Sequence, residues 1–118
     1  MSVEQAVNAC YQAGTAQPFV YQVPVDFPAF AGHFEGNPLL PAVCHISFCS
    51  DAASRLLGKP MELLAIKKAK FMGPVFPNTR LAVGLTLRPD GWYLADLTDS
   101  TTGKKFSQLV LQFAERKV

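Results

Sequence analysis

No stretch of this chain approaches the roughly 18 consecutive apolar residues that a membrane-spanning helix needs. No basic run appears, and a net charge of +2 over 118 residues is too small a bias to point to nucleic acid. Cysteine is scarce and odd in number: Cys10, Cys44 and Cys49 show no Cys-x-x-Cys spacing. That argues against a disulfide framework and a structural zinc site, and predicts a reduced, cytoplasmic setting with no metal. The opening Met1-Ser2-Val3-Glu4-Gln5 lacks the basic-then-apolar pattern of a secretory leader, so none is expected. There is no glycine-rich nucleotide loop, no G-x-S-x-G elbow, no internal repeat and no low-complexity segment. No cofactor is therefore expected. Charged residues are only 17% of the chain and hydrophobic ones 49%, enough for a real core in one domain spanning 1–118.

What the chain does have is concentrated in residues 30–43, Phe-Ala-Gly-His-Phe-Glu-Gly-Asn-Pro-Leu-Leu-Pro-Ala-Val. Its glycines and prolines predict a tight, stiff loop that holds His33 close to a helix N-terminus. Free N–H groups there stabilise developing negative charge. An imidazole beside such donors suits acid–base chemistry on a carbonyl compound.

Elsewhere the pattern predicts elements. Residues 2–13 read as a short helix with Ser2 as N-cap and Gly14 as its stop, and residues 18–24 alternate as a strand. From Ala42 to Leu57, Val43, Ile46, Cys49, Ala53 and Leu56 recur at helical spacing, and Phe48, Ala52 and Leu57 add apolar surface on neighbouring faces. Gly58 and Pro60 mark the end of that helix. Residues 62–71, 81–88, 92–98 and 104–113 read as strands, and Pro89-Asp90-Gly91 is a turn. The last three strands form an antiparallel meander. One long apolar helix and one sheet imply an α+β fold, with a curved sheet wrapped around the helix.

That order of elements, with His33 just before the helix, resembles the hotdog fold of the FabZ/FabA-type 3-hydroxyacyl-acyl-carrier-protein dehydratases. Two blocks carry the likeness. Gly32-His33-Phe34-Glu35-Gly36-Asn37-Pro38-Leu39-Leu40-Pro41-Ala42-Val43 is similar to the family's G-H-F-P-x-x-P-x-x-P-G-V segment. Ile66 to Asn78 is similar to its I-x-x-(A/V)-(K/R)-F-x-x-P-x-x-P-G segment. The resemblance covers about residues 18–115. The run Phe27-Pro28-Ala29-Phe30-Ala31-Gly32-His33 further resembles small dehydratase-like proteins of aryl polyene-type systems.

The resemblance implies site residues. His33 takes the place of the catalytic histidine, flanked by Gly32 and Phe34. The amide that polarises the thioester carbonyl falls on Ala42, after Pro41. Glu35 stands where the family has proline. The family's helix carboxylate falls on Ser47, which cannot exchange a proton near neutral pH as a carboxylate does. A carboxyl group reappears one turn later at Asp51, where the family has glutamine. In the family the histidine of one subunit meets the carboxylate of the other. The implied substrate is a 3-hydroxyacyl thioester on acyl carrier protein, and the implied enzyme is a hydro-lyase. The implied assembly is a homodimer or a heteromer with a related subunit.

Simpler readings stand beside these. Ser47 fits a helix-packing hydroxyl as well as a site residue, and Asp51 fits an exposed carboxylate as well as an acid or water-orienting group. His45 fits a structural role. Phe71 and Met72, with Val75 and Phe76, fit either an acyl tunnel or packing. Lys67, Lys68 and Lys70, with Arg55 and Lys59, fit either a docking surface for an acidic carrier or a solvated face. Competing functions are a non-catalytic acyl-binding or partner subunit, favoured by Ser47, and a hotdog thioesterase.

Overall fold

The structure, a computed structural model, describes residues 2–12, 14, 17–30 and 39–117. Its elements run α1 (Val3–Ala9), β1 (Phe19–Gln22), a 3-10 turn (Pro28–Phe30), α2 (Ala42–Leu57), β2 (Met61–Phe71), β3 (Arg80–Leu87), β4 (Tyr93–Asp99) and β5 (Lys105–Glu115). The five strands form one antiparallel sheet in the order β1-β3-β4-β5-β2. The predicted meander is β3-β4-β5, and α2 lies on the same face as β2, β3 and β5 side chains. This is the α+β hotdog arrangement. None of the described helices is long and apolar enough to cross a membrane.

The long helix runs from Ala42 to Leu57, as its end signals predict. Gly58 closes it at φ 70°, a left-handed angle that a side chain resists, and its N–H donates to the Ser54 carbonyl. Its buried stripe differs from expectation. Cys44, Phe48 and Ala52 form one row and His45, Cys49 and Ala53 the next, each at i, i+4 spacing. Val43 is 67% exposed and Leu56 is exposed too, although both belong to the predicted apolar stripe. A helix apolar on several faces has no single pattern that fixes which face meets the sheet.

Phe48 lies at the centre of the core. Its ring stacks on Phe27 with centroids 5.7 Å apart and meets Tyr21 edge-on at 5.1 Å. All three are fully or almost fully buried. Leu81, Val83, Leu85, Leu97, Leu109 and Leu111 supply the sheet side of this core, as their alternation along β3 to β5 requires.

The first helix is shorter than predicted. Ser2 and Gln5 make a reciprocal capping box, and the helix then stops at Ala9 rather than running to residue 13. The reason is tertiary. Gln12 N–H donates to the Val20 carbonyl, Gln22 N–H donates to the Cys10 carbonyl, and Tyr11 bridges Tyr21. The segment after α1 is thus drawn along the outer edge of β1. At the other margin, among the described residues, β2 pairs with β5 alone.

Candidate active site

The loop that carries His33 is anchored at both described ends. Phe30 is buried against Phe27, with ring centroids 6.0 Å apart. Leu40 is buried, and its N–H donates to the Val75 carbonyl at 2.9 Å. That bond joins the two sequence blocks singled out above. His33, Gly32, Phe34 and Glu35 themselves lie outside the described residues.

Immediately beyond the loop, Pro41 takes the N-cap position in an extended conformation (φ −60°, ψ 150°), and Ala42 is the first helical residue. The first N–H groups of any α-helix have no acceptor within it, so the Ala42 N–H is available to a ligand. Among the described residues the only non-glycine with positive φ is Asn78, so Ala42 needs no glycine there. Asn78, at φ 67°, stands where the second block's family pattern has glycine, and asparagine tolerates that left-handed angle.

From the first turn of α2 a cleft of about 400 Å³ runs along the helix. Val43, Ile46, Ser47, Ser50, Asp51 and Ser54 form its helix wall, and α1 and the start of β2 form the other sides. The structure thus places Ser47 and Asp51 on one surface. Val43 and Ile46, missing from the buried stripe, supply part of its apolar lining. Ser47 Oγ makes a long 3.4 Å bond to the Val43 carbonyl of its own helix. Ser50 and Ser54 bond back to their own helix in the same way, at 3.1 and 3.0 Å.

Asp51 is neither freely exposed nor fully buried; its side chain is 14% accessible. Its Oδ2 accepts from the Tyr21 hydroxyl at 2.7 Å and from Arg55 Nε at 2.7 Å. Burial, then the adjacent Asp51 carboxylate, keeps the Tyr21 phenol protonated far above its ordinary range. With Oδ2 held by a phenol and a guanidinium, the geometry suits Asp51 as an acceptor that orients a hydroxyl or a water. Sequence reasoning missed Tyr21, because it lies thirty positions away in sequence. The Asp51–Arg55 pair, at i, i+4, was readable from helical spacing.

Phe71 and Met72 lie at the end of β2, both more than a third exposed. Val75 is fully buried and belongs to the core rather than to any open lining. The Phe71 ring meets His45 edge-on at 5.2 Å. Behind it, buried His45 pairs through Nδ1 with buried Ser107 at 2.8 Å, which supports the structural reading of His45. Of the predicted basic surface, Arg55 is tied to Asp51, Lys67 lies by Asp90 and Trp92, and Lys59 by Glu115. Lys68 and Lys70 are exposed.

Burial pushes His45 down from 6.5 to about 4. The unfolded chain protonates this ring below its ordinary value, while the folded chain resists until about 4. The unfolded state then holds more protons across that window, so stability falls as pH drops through it. The urea midpoint is expected to be lower at pH 5 than at pH 7, and a His45→Gln variant to show a smaller difference between the two. An equal difference in both proteins would mean that other groups carry the effect.

Comparison with known proteins places this geometry. The family described as ApeI-like, ApeI dehydratase, matches residues 11–110. The chain belongs to the ApeI-like dehydratase family. Among curated relatives of this ApeI-like chain, the 3-hydroxyacyl-(acyl-carrier-protein) dehydratase FabZ of Chlamydia trachomatis serovar L2 is 36% identical over 95 residues. That alignment takes in 73% of this chain and 57% of the relative, so the chain spans little more than half the length of that protein. Among solved structures, the dehydratase heterocomplex ApeI:P from Xenorhabdus doucetiae superposes with a TM-score of 0.71 at 21% identity, covering 87% of this chain and 93% of that one. The E. coli PaaI protein of the phenylacetic acid degradation operon gives 0.60 at 14% identity, over 97% and 89%. Both structural likenesses establish the hotdog fold of the ApeI-like chain.

Proposed function

We propose that the chain is a hydro-lyase acting on 3-hydroxyacyl thioesters of an acyl carrier protein, in fatty acid or polyene-type lipid synthesis within a reducing cytoplasm. The observation that carries this reading is a cleft lined from the first turn of α2 to Asp51, on the helix that follows the anchored Leu40 and, in sequence, His33. Elimination breaks the C2–H and C3–O bonds and forms a C2=C3 double bond, releasing water. His33 takes the C2 proton. The Ala42 N–H donates to the thioester oxygen as charge builds there. Asp51 orients the departing hydroxyl, with the Ser47 hydroxyl beside it on the same wall, and the His33 imidazolium returns the C2 proton to that hydroxyl, which leaves as water. Gly32, Phe34 and Pro41 shape the loop around the histidine, and Phe71 and Met72 flank the acyl chain. Lys68 and Lys70 suit an acidic carrier.

Two chains complete this site. β2 offers an 11-residue edge with no outer neighbour among the described residues, and Leu64, Ile66 and Phe71 along it are exposed. Such an edge pairs readily with a copy of itself about a twofold axis. A particle mass of a single chain in solution would remove this part of the reading.

A second reading is supported by Ser47 in place of the family's carboxylate and by the heteromeric relative. In it the chain contributes His33, and a related hotdog subunit contributes a glutamate across the boundary. One assay separates the readings. The protein, alone and with a related subunit from the same source, is incubated with 3-hydroxyacyl and enoyl carrier-protein thioesters. Interconversion by the chain alone is the expected result. Turnover only with the partner supports the composite site, and thiol release instead points to a thioesterase.

A further inference from the structure

We infer that Tyr21 and Arg55 are positioning residues that aim the Asp51 carboxylate into the cleft, an inference that rests on the dehydratase reading above. Four observations converge on it. First, both hydrogen bonds to Asp51 fall on Oδ2, while no described group donates to Oδ1. Second, Asp51 lines the cleft but Tyr21 and Arg55 do not. With Oδ2 taken by both donors, Oδ1 is the oxygen left for the cleft that Asp51 lines. Third, neither donor can drift. Tyr21 is fully buried on β1, locked between Phe48 and the Tyr11 ring at centroid distances of 5.1 and 5.5 Å. The Arg55 guanidinium carbon lies over the Tyr11 ring, 3.6 Å from its centroid, a cation–π contact. Fourth, the carboxylate belongs to the cleft face of α2, one turn beyond Ser47, the position that the resemblance leaves without its acid.

The physical consequence is preorganisation. A free aspartate on a helix samples several rotamers, and only some present an oxygen to the cleft. Two charge-assisted or phenolic donors on one oxygen leave a single orientation and fix the other oxygen as an acceptor of defined direction. An enzyme that has moved its carboxylate by one helical turn needs that direction set by new partners. Tyr21 and Arg55 are those partners, and Tyr11 extends the control to the segment that follows α1.

The test uses the full-length protein in the assembly that turns over substrate. Tyr21→Phe removes one hydroxyl and keeps the buried ring, so it leaves the packing intact. Arg55→Lys retains charge but loses the planar Nε–H. Each is expected to lower kcat by about ten-fold with KM little changed, as the loss of a hydrogen bond to a charged group implies. A merely structural role would lower the melting temperature without that split. The decisive arm is a double-mutant cycle. In an Asp51→Asn background, Tyr21→Phe is expected to cost almost nothing further in kcat, because its effect runs through the carboxylate. An active wild type whose kcat is unmoved by Tyr21→Phe would overturn the inference, as would an equal loss in both backgrounds. A wild type with no turnover, alone or with a related hotdog partner, would instead overturn the dehydratase reading and this inference with it.

Discussion

Replacing His33 by alanine is expected to abolish dehydration, with a loss of about 10²- to 10⁴-fold, the usual contribution of a positioned general base. The reasoning is subtractive. In the proposed mechanism Ala42 still donates to the carbonyl and Asp51 still orients a hydroxyl, but neither takes the C2 proton in place of the imidazole. The chain's one other histidine, His45, is buried against Ser107, and its low proton affinity reflects that burial. Substrate affinity should survive, because the acyl and carrier contacts lie elsewhere. The measurement is kcat and KM on a 3-hydroxyacyl carrier-protein thioester, with the melting temperature recorded beside them. Undiminished turnover in the variant would remove His33 from the reaction.

Phe48→Ala is expected to give the largest loss of stability of any single truncation, about 3–5 kcal/mol. The ring touches Phe27 and Tyr21 together, so its removal opens a void between the helix, β1 and the start of the His33 loop. Domains of this size are stable by only about 5–15 kcal/mol in total, so much of that margin would go. Urea unfolding followed by tryptophan fluorescence reads it directly through the shift in midpoint. A loss below about 1 kcal/mol would mean that the neighbours collapse to fill the space. Phe27 leads into the loop, so the surviving folded fraction should also turn over more slowly.

Much of this architecture was legible in the sequence. The end of α2 followed from Gly58 and Pro60, β3 from strict alternation, and the turn into β4 from Pro89-Asp90-Gly91. Those signals are local, and local signals survive folding. The failures were all matters of long-range partnership. Residues 10–12 read as helix because nothing nearby forbids it, and only the edge of β1 draws them out. The stripe on α2 was assigned to the wrong angle because Val43 and Ile46 are as apolar as Cys44 and Phe48. In the cleft, Ser47 and Asp51 share a wall because they stand one helical turn apart. What holds Asp51 was invisible, because Tyr21 comes from another element and its hydroxyl carries no sequence mark.

The strip of backbone that Cys10, Tyr11 and Gln12 lay along β1 has one more effect. It spends the outward-facing amides and carbonyls at that side of the molecule on the chain's own residues. Among the described residues that leaves β2 as the margin with no strand beside it, and a strand adding on the β1 side would first have to displace the chain's own backbone.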